Sequence, residues 1–340
     1  RSMFPKCRLH LMNDQVCGWR GAAVQTPLLA IPPNFFAITM GLAGLAGVWR
    51  LAGDLYHLPA WIGDALYVVT TGVFLLLIVA FAMKLVLTPK AVMAELTHPV
   101  LGPFYSLLPM SGMLLALGLE PYAYRVALVL FLVFFIATAL LGGWMTGQWI
   151  VAKLDADTFH PGYFLPTVAG ALVGADGAGH FDLIGLGWMS FGIGMICWVV
   201  LGSIILNRLF FRPGLPAGLV PILAIEMAPP VVAGNAYFTL TSGRIDIVAY
   251  VLAGYAVLMV LVQVRLVPLY VKTPFAPSFW AFTFAYAAVA SDAMRWITLE
   301  YPTGGILLGS VLLAAITFLI GGIALRSLIA LRQGAFLPAS

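Results

Sequence analysis

The sequence predicts an all-α polytopic membrane protein with ten transmembrane helices in five tandem hairpins, odd-numbered helices forming an inner ring and even-numbered ones an outer ring. Three observations lead there. Of 340 residues, 62% are hydrophobic and 9% charged, with a mean hydropathy of +1.02, whereas soluble domains carry about 25% charged residues. Ten stretches are long and apolar enough to cross a hydrocarbon core of about 30 Å at about 1.5 Å per residue. Lys and Arg gather on alternate connections. The composition excludes a disordered chain, a nucleic-acid-binding domain and an ordinary cytosolic enzyme.

The spans are expected near 33–52, 61–87, 100–118, 124–151, 159–177, 182–206, 217–240, 245–270, 277–297 and 303–331. The first has small residues Ala37, Gly41 and Gly44 at helical spacing and stops at Gly53-Asp54. The second is bulky all round, from Val73 to Val79, as suits lipid contact. The third places Ser106, Pro109 and Gly112 before the Glu120-Pro121 turn, and the fourth is again bulky from Val129 to Ile136. The fifth carries Pro166, Thr167, Gly170 and Gly174 and ends at Gly177-Ala178-Gly179. The sixth, with Gly192 and Gly194, stops before Pro213-Gly214-Leu215-Pro216. The seventh has Pro229, Pro230, Ala233 and Gly234, closing at Ser242-Gly243. After the eighth comes a ninth with a face of Ala281, Ala285, Ala288 and Asp292, from which Phe284 also projects. Pro302-Thr303-Gly304 leads to the tenth, whose Gly321 and Gly322, like the glycines of the sixth, weaken the alternation. Small faces allow close backbone approach, and an intramembrane proline is tolerated where its freed carbonyl meets protein or water. The markers Thr39, Pro109, Pro166, Pro229 and Phe284 recur at roughly hairpin-length intervals, which suggests the repeat.

With the N-terminus cytoplasmic, the inside segments and adjoining helix ends hold 13 of the 17 Lys and Arg: Arg1, Lys6, Arg8, Arg20, Lys84, Lys90, Lys153, Arg208, Arg212, Arg265, Lys272, Arg326 and Arg332. Arg50, Arg125, Arg244 and Arg295 remain outside. This supports an even span count with both termini inside. Three segments follow: a cytoplasmic tail 1–32, a membrane domain 33–333 and a tail 334–340. Residues 1–26 lack the apolar stretch of a signal peptide.

Cys7, Cys17 and Cys197 form no C-x-x-C pattern and read as reduced thiols. His98-Pro99 and His160-Pro161 read as helix starts, and His10, His57 and His180 are scattered, so neither a metal site nor a cofactor is expected. No P-loop, G-x-S-x-G or H-E-x-x-H pattern supports an enzyme. Phe284, a large ring among alanines, has the form of an apolar plug, while spacing alone favours a packing residue.

The stretches Asn34 to Leu42, His160 to Pro166, Met227 to Pro230 and Ser278 to Phe284, in that order, resemble the bacterial TehA proteins and plant slow anion channels, the tellurite-resistance/dicarboxylate transporter family. The resemblance covers residues 33–333. It implies five hairpins around a central pore, a homotrimer with one pore per protomer in the inner (plasma) membrane, and passage of small anions such as chloride or nitrate. It also implies that Phe284 occludes the pore, with Phe282 as the rival on the far side of the helix, and that Pro109, Pro166 and Pro229 kink the inner helices. Thr39 stands where the family has a further proline, which touches the pore width at that point.

Glu226, three residues before Pro229, is an intramembrane acid that costs about 2.5–3.5 kcal/mol on insertion scales. It is either interhelical glue, a proton carrier or a residue near the cytoplasmic mouth. The expected function is a gated anion channel; the alternative is a proton-coupled transporter of dicarboxylates or tellurite-related oxyanions. A path without an obvious fixed cation would bind anions weakly, which favours exit.

Overall fold

The computed structural model describes residues 31–56 and 58–337, and everything in it is helix or connection. The described residues contain eleven α-helices: α1 (Phe36–Tyr56), α2 (Trp61–Leu87), α3 (Pro89–Leu96), α4 (Leu107–Leu119), α5 (Tyr124–Val151), α6 (Gly170–His180), α7 (Ile184–Phe211), α8 (Ala228–Leu240), α9 (Ile247–Lys272), α10 (Ala281–Glu300) and α11 (Gly305–Arg332). Cys7, Cys17, His10, His57, the first four basic residues of the tail and its residues through 30 lie outside the described residues, as do 338–340.

Eight helical units are long and apolar enough to cross a membrane. The expected fifth and ninth spans fall short of that measure. The fifth is assembled from a 3-10 turn (Pro161–Phe164), a π turn (Leu165–Ala169) and α6, and its apolar content is diluted by Gly162, Gly170, Gly174, Asp176, Gly177, Gly179 and His180. The ninth is α10, whose apolar content is diluted by Thr283, Ser291, Asp292 and Arg295. The sequence reading did not include α3. Pro89 opens it at a first-turn position where a missing N–H is harmless. The buried Lys84 of α2 ties it down, donating to both Glu95 oxygens at 2.7 and 2.8 Å and to the Ile31 carbonyl at 3.1 Å.

α1 touches α4, α4 touches α6, α6 touches α8, α8 touches α10, and α10 returns to α1, so these contacts close on themselves. Each of the five also packs on the long helix that follows it: α2, α5, α7, α9 or α11. In α8 with its 3-10 lead, 78% of the most apolar window is enclosed, against 22% in α2 and in α5, so protein surrounds α8 while α2 and α5 present most of their surface outward. The bulky α5 is not purely outward, however. Its Phe131, Phe134 and Phe135 fill the space that side chains on Gly177, Gly112 and Gly174 would take.

All five enclosed helices begin irregularly. A 3-10 segment precedes α1 (Pro33–Phe35), α4 (Gly102–Ser106), α8 (Ala217–Met227) and α10 (Pro277–Trp280), and α6 has its 3-10 and π turns. These starts lie together at the end where the first and last described residues meet, Phe35 against Phe336 with ring centroids 5.3 Å apart. That end is called the terminal face.

Candidate functional site

Two cavities lie between the enclosed helices. The larger, about 320 Å³, is lined toward the face opposite the termini by α1, α4, α6, α8 and α10. The smaller, about 50 Å³, lies toward the terminal face among Ala37, Met40, Leu107, Leu165, Ala228 and Ala285, with apolar neighbours throughout. Phe284 lines both, and among the described residues it alone does so.

The local sequence explains its position. Pro277 opens the 3-10 lead, Trp280 is fixed by its indole N–H donating to Ser327 at 2.9 Å, and α10 starts at Ala281. This puts Phe284 in the first turn of α10, beside Gly44 of α1, where an added Cβ would stand 3.4 Å from Phe284 Cδ2 and 3.0 Å from the Ala287 Cβ. Phe282 points elsewhere, edge-on to Tyr270 with centroids 4.7 Å apart. The expected alanine face divides between the cavities: Ala281 and Ala285 line the small one and Ala288 the large one. Asp292 lines neither; it is buried against Gly234 of α8.

The three prolines mark where irregular turns give way to α-helix. Pro109 is the third residue of α4, Pro229 the second of α8, and Pro166 sits in the π turn before α6. A proline near a helix start loses few hydrogen bonds. The first enclosed helix makes the same change with Thr39 in place of a proline there: its hydroxyl donates to the Phe36 carbonyl at 2.8 Å and lies 2.7 Å from Ser111 Oγ of α4. Thr39 is fully buried in that contact and lines neither cavity. Glu226 also lines neither, although Ile225 and Ala228 beside it line the smaller. Its side chain is enclosed in protein, with Oε1 lacking any hydrogen-bond partner among the described residues.

The sequence reading missed the charged wall of the large cavity. Arg50, Asp54, Glu120, Asp176, His180 and Arg295 all line it. Arg50 Nε and Nη2 donate to Asp64 Oδ1 at 3.0 and 2.8 Å, and its guanidinium lies 4.3 Å from the Tyr67 ring centroid. Asp64 also accepts from the Tyr122 hydroxyl at 2.5 Å. Arg295 Nη1 donates to Thr239 Oγ1 at 2.9 Å, and the Thr239 hydroxyl is 2.5 Å from Asp176 Oδ1. Two fixed cations therefore stand on the enclosed helices, contrary to the expectation of none. The signal was present: Arg295 is eleven residues beyond Phe284, three turns along one face.

His160 caps a helix start, its Nδ1 accepting from Gly162 N–H, whereas His98 lies in the turn before Gly102–Ser106, its Nδ1 accepting from Val100 N–H, and the cap there is Leu101. Among the described residues no cluster of His, Cys, Asp or Glu could hold a metal ion.

The model of the voltage-dependent anion channel family matches residues 30–328. The chain belongs to that family. It is 28% identical over 309 residues to the tellurite resistance protein TehA homolog of Haemophilus influenzae, covering 90% of this chain and 92% of that protein. An S-type anion channel of Arabidopsis thaliana is 25% identical over 320 residues; the match spans 89% of this chain but only 48% of the plant protein. An uncharacterized transporter of Methanocaldococcus jannaschii is 24% identical over 278 residues, covering 74% of this chain and 80% of that one.

Proposed function

We propose that the protein is a gated anion channel: ten spans form five hairpins, α1, α4, α6, α8 and α10 surround a pore in each protomer, and Phe284 closes it. The observation that carries this reading is that Phe284, alone among the described residues, lines both cavities. An apolar ring at a narrow point stops ions by excluding water. The distribution of Lys and Arg supports a cytoplasmic terminal face in the inner (plasma) membrane, with residues 33–333 as the channel domain and 1–32 and 334–340 as cytoplasmic tails. The cargo is a small anion of the chloride or nitrate type, and the assembly a homotrimer.

The test is current through wild type and Phe284→Ala in oocytes or planar bilayers with chloride, nitrate and malate in turn. The variant is expected to conduct severalfold more. Unchanged current in a well-expressed, trimeric variant would remove Phe284 as the gate. The enclosed carboxyl of Glu226 favours a second reading, a proton-coupled transporter of dicarboxylates or tellurite-related oxyanions. Saturable uptake lost in Glu226→Gln, without single-channel currents, would establish that reading instead.

A further inference from the structure

We propose that the Arg295 guanidinium is an anion-binding site in the large cavity, taking a small monovalent inorganic anion before it reaches Phe284. The inference rests on the channel reading and names where along the path the anion is first held.

Arg295 lines the 320 Å³ cavity and also an adjoining one of about 290 Å³ that contains Thr239, Ser242 and Thr298. His180 and Leu51 share that position between the two. A guanidinium carries five N–H donors and no acceptor. Among the described residues only Nη1 has an acceptor, Thr239 Oγ1. Nη2 is 3.9 Å from Asp176 Oδ1, beyond hydrogen-bond distance, and Nε is enclosed without a partner among the described residues. Asp176 Oδ1 is already engaged by the Thr239 hydroxyl at 2.5 Å and lies 3.8 Å from His180 Nδ1. The carboxylate that would neutralise Arg295 is therefore divided among three groups, and Nη2 retains donors for a ligand.

Arg50, the other cation of the wall, lacks this freedom. Two of its nitrogens are spent on Asp64 and its face is covered by Tyr67. The remaining acids of the cavity, Asp54 and Glu120, with Asp176, repel an anion and hold its affinity down. Conduction needs that combination: a donor strong enough to admit the ion, in a field that lets it leave.

Two measurements decide the proposal. In Phe284→Ala channels in bilayers, chloride is varied on the face opposite the termini and the half-saturating concentration is read. Adding Arg295→Gln is expected to raise it roughly tenfold, as loss of a charge-assisted hydrogen bond implies. Arg295→Lys should recover part of the shift, and Asp176→Asn should lower the concentration below that of the parent. Independently, wild-type crystals soaked in sodium bromide should show an anomalous peak at Arg295. A conducting Phe284→Ala channel whose half-saturation ignores Arg295→Gln overturns the site and leaves the channel reading standing. If Phe284→Ala does not conduct, the channel reading fails, and the bromide peak alone decides: present at Arg295 it supports the site, absent it removes it.

Discussion

The two cavities on either side of Phe284 share four of their helices with each other but differ in nearly everything else. The one toward the terminal face holds about 50 Å³ and is walled by alanine, methionine, leucine and aromatic rings. The other holds about 320 Å³ and includes two arginines, three carboxylates, a histidine, Asn235 and Ser291. The difference follows from how the enclosed helices begin and end. Their starts are irregular turns rich in proline and rings, which pack tightly at the terminal face. Their ends carry Arg50, Asp176, Thr239 and Arg295, the last three in contact with one another, around a wider space. On the proposed channel reading, a small anion would keep company with polar groups up to Phe284 and shed water beyond it, which would put the resistance of the path at that ring and below it.

The largest effect should come from removing the boundary itself: Phe284→Ala joins the cavities, and single-channel recording should show a severalfold rise in chloride current. Next, one acidic substitution tests the contrast on both sides. Ala285→Asp puts an unpaired carboxylate in the small apolar cavity and should cost about 3–5 kcal/mol, read as a lower unfolding temperature in detergent. Gly47→Asp points into the large cavity, where a Cβ stands 3.5 Å from the Tyr67 hydroxyl, and should leave that temperature nearly unchanged. Equal destabilisation by the two would end the distinction. Gly44→Val presses on Ala287 and Phe284 and should cost about 1–3 kcal/mol by overpacking, while reducing the current of Phe284→Ala. Smallest of all, Glu226→Gln should leave the current of Phe284→Ala unaltered, because the side chain lines neither cavity. A large change there would place the acid on the path.

Much of this was legible in the sequence because membrane-spanning elements obey a length rule. Runs such as Val73 to Val79 leave little choice about where they reside, and the position of Phe284 among Ala281, Ala285 and Ala288 marked one face of α10 for close packing. Thr39 shows the limit. Its place among the proline markers pointed inward, yet its hydroxyl is used to join α1 to α4. Glu226 is similar: helical spacing from Pro229 presumes a regular helix, and Ala217–Met227 is a 3-10 segment, whose side chains rotate by a different angle per residue. The short α3 was hidden for another reason, since Lys84 and Glu95 read as ordinary solvent-facing charges until the fold brings them within 2.7 Å.

By itself the sequence determined that this chain is helical and, for eight of the ten expected stretches, that they are long and apolar enough to span. Hydrophobic length and side-chain size act within one helix, so they can be read in order along the chain. Only the tertiary structure decided that Phe284 lines two unlike spaces and that Arg50 is hydrogen-bonded to a carboxylate while Arg295 is not. Those facts depend on atoms from α1, α2, α6, α8 and α10 meeting at hydrogen-bond distances, and no spacing along one helix encodes the distance to another.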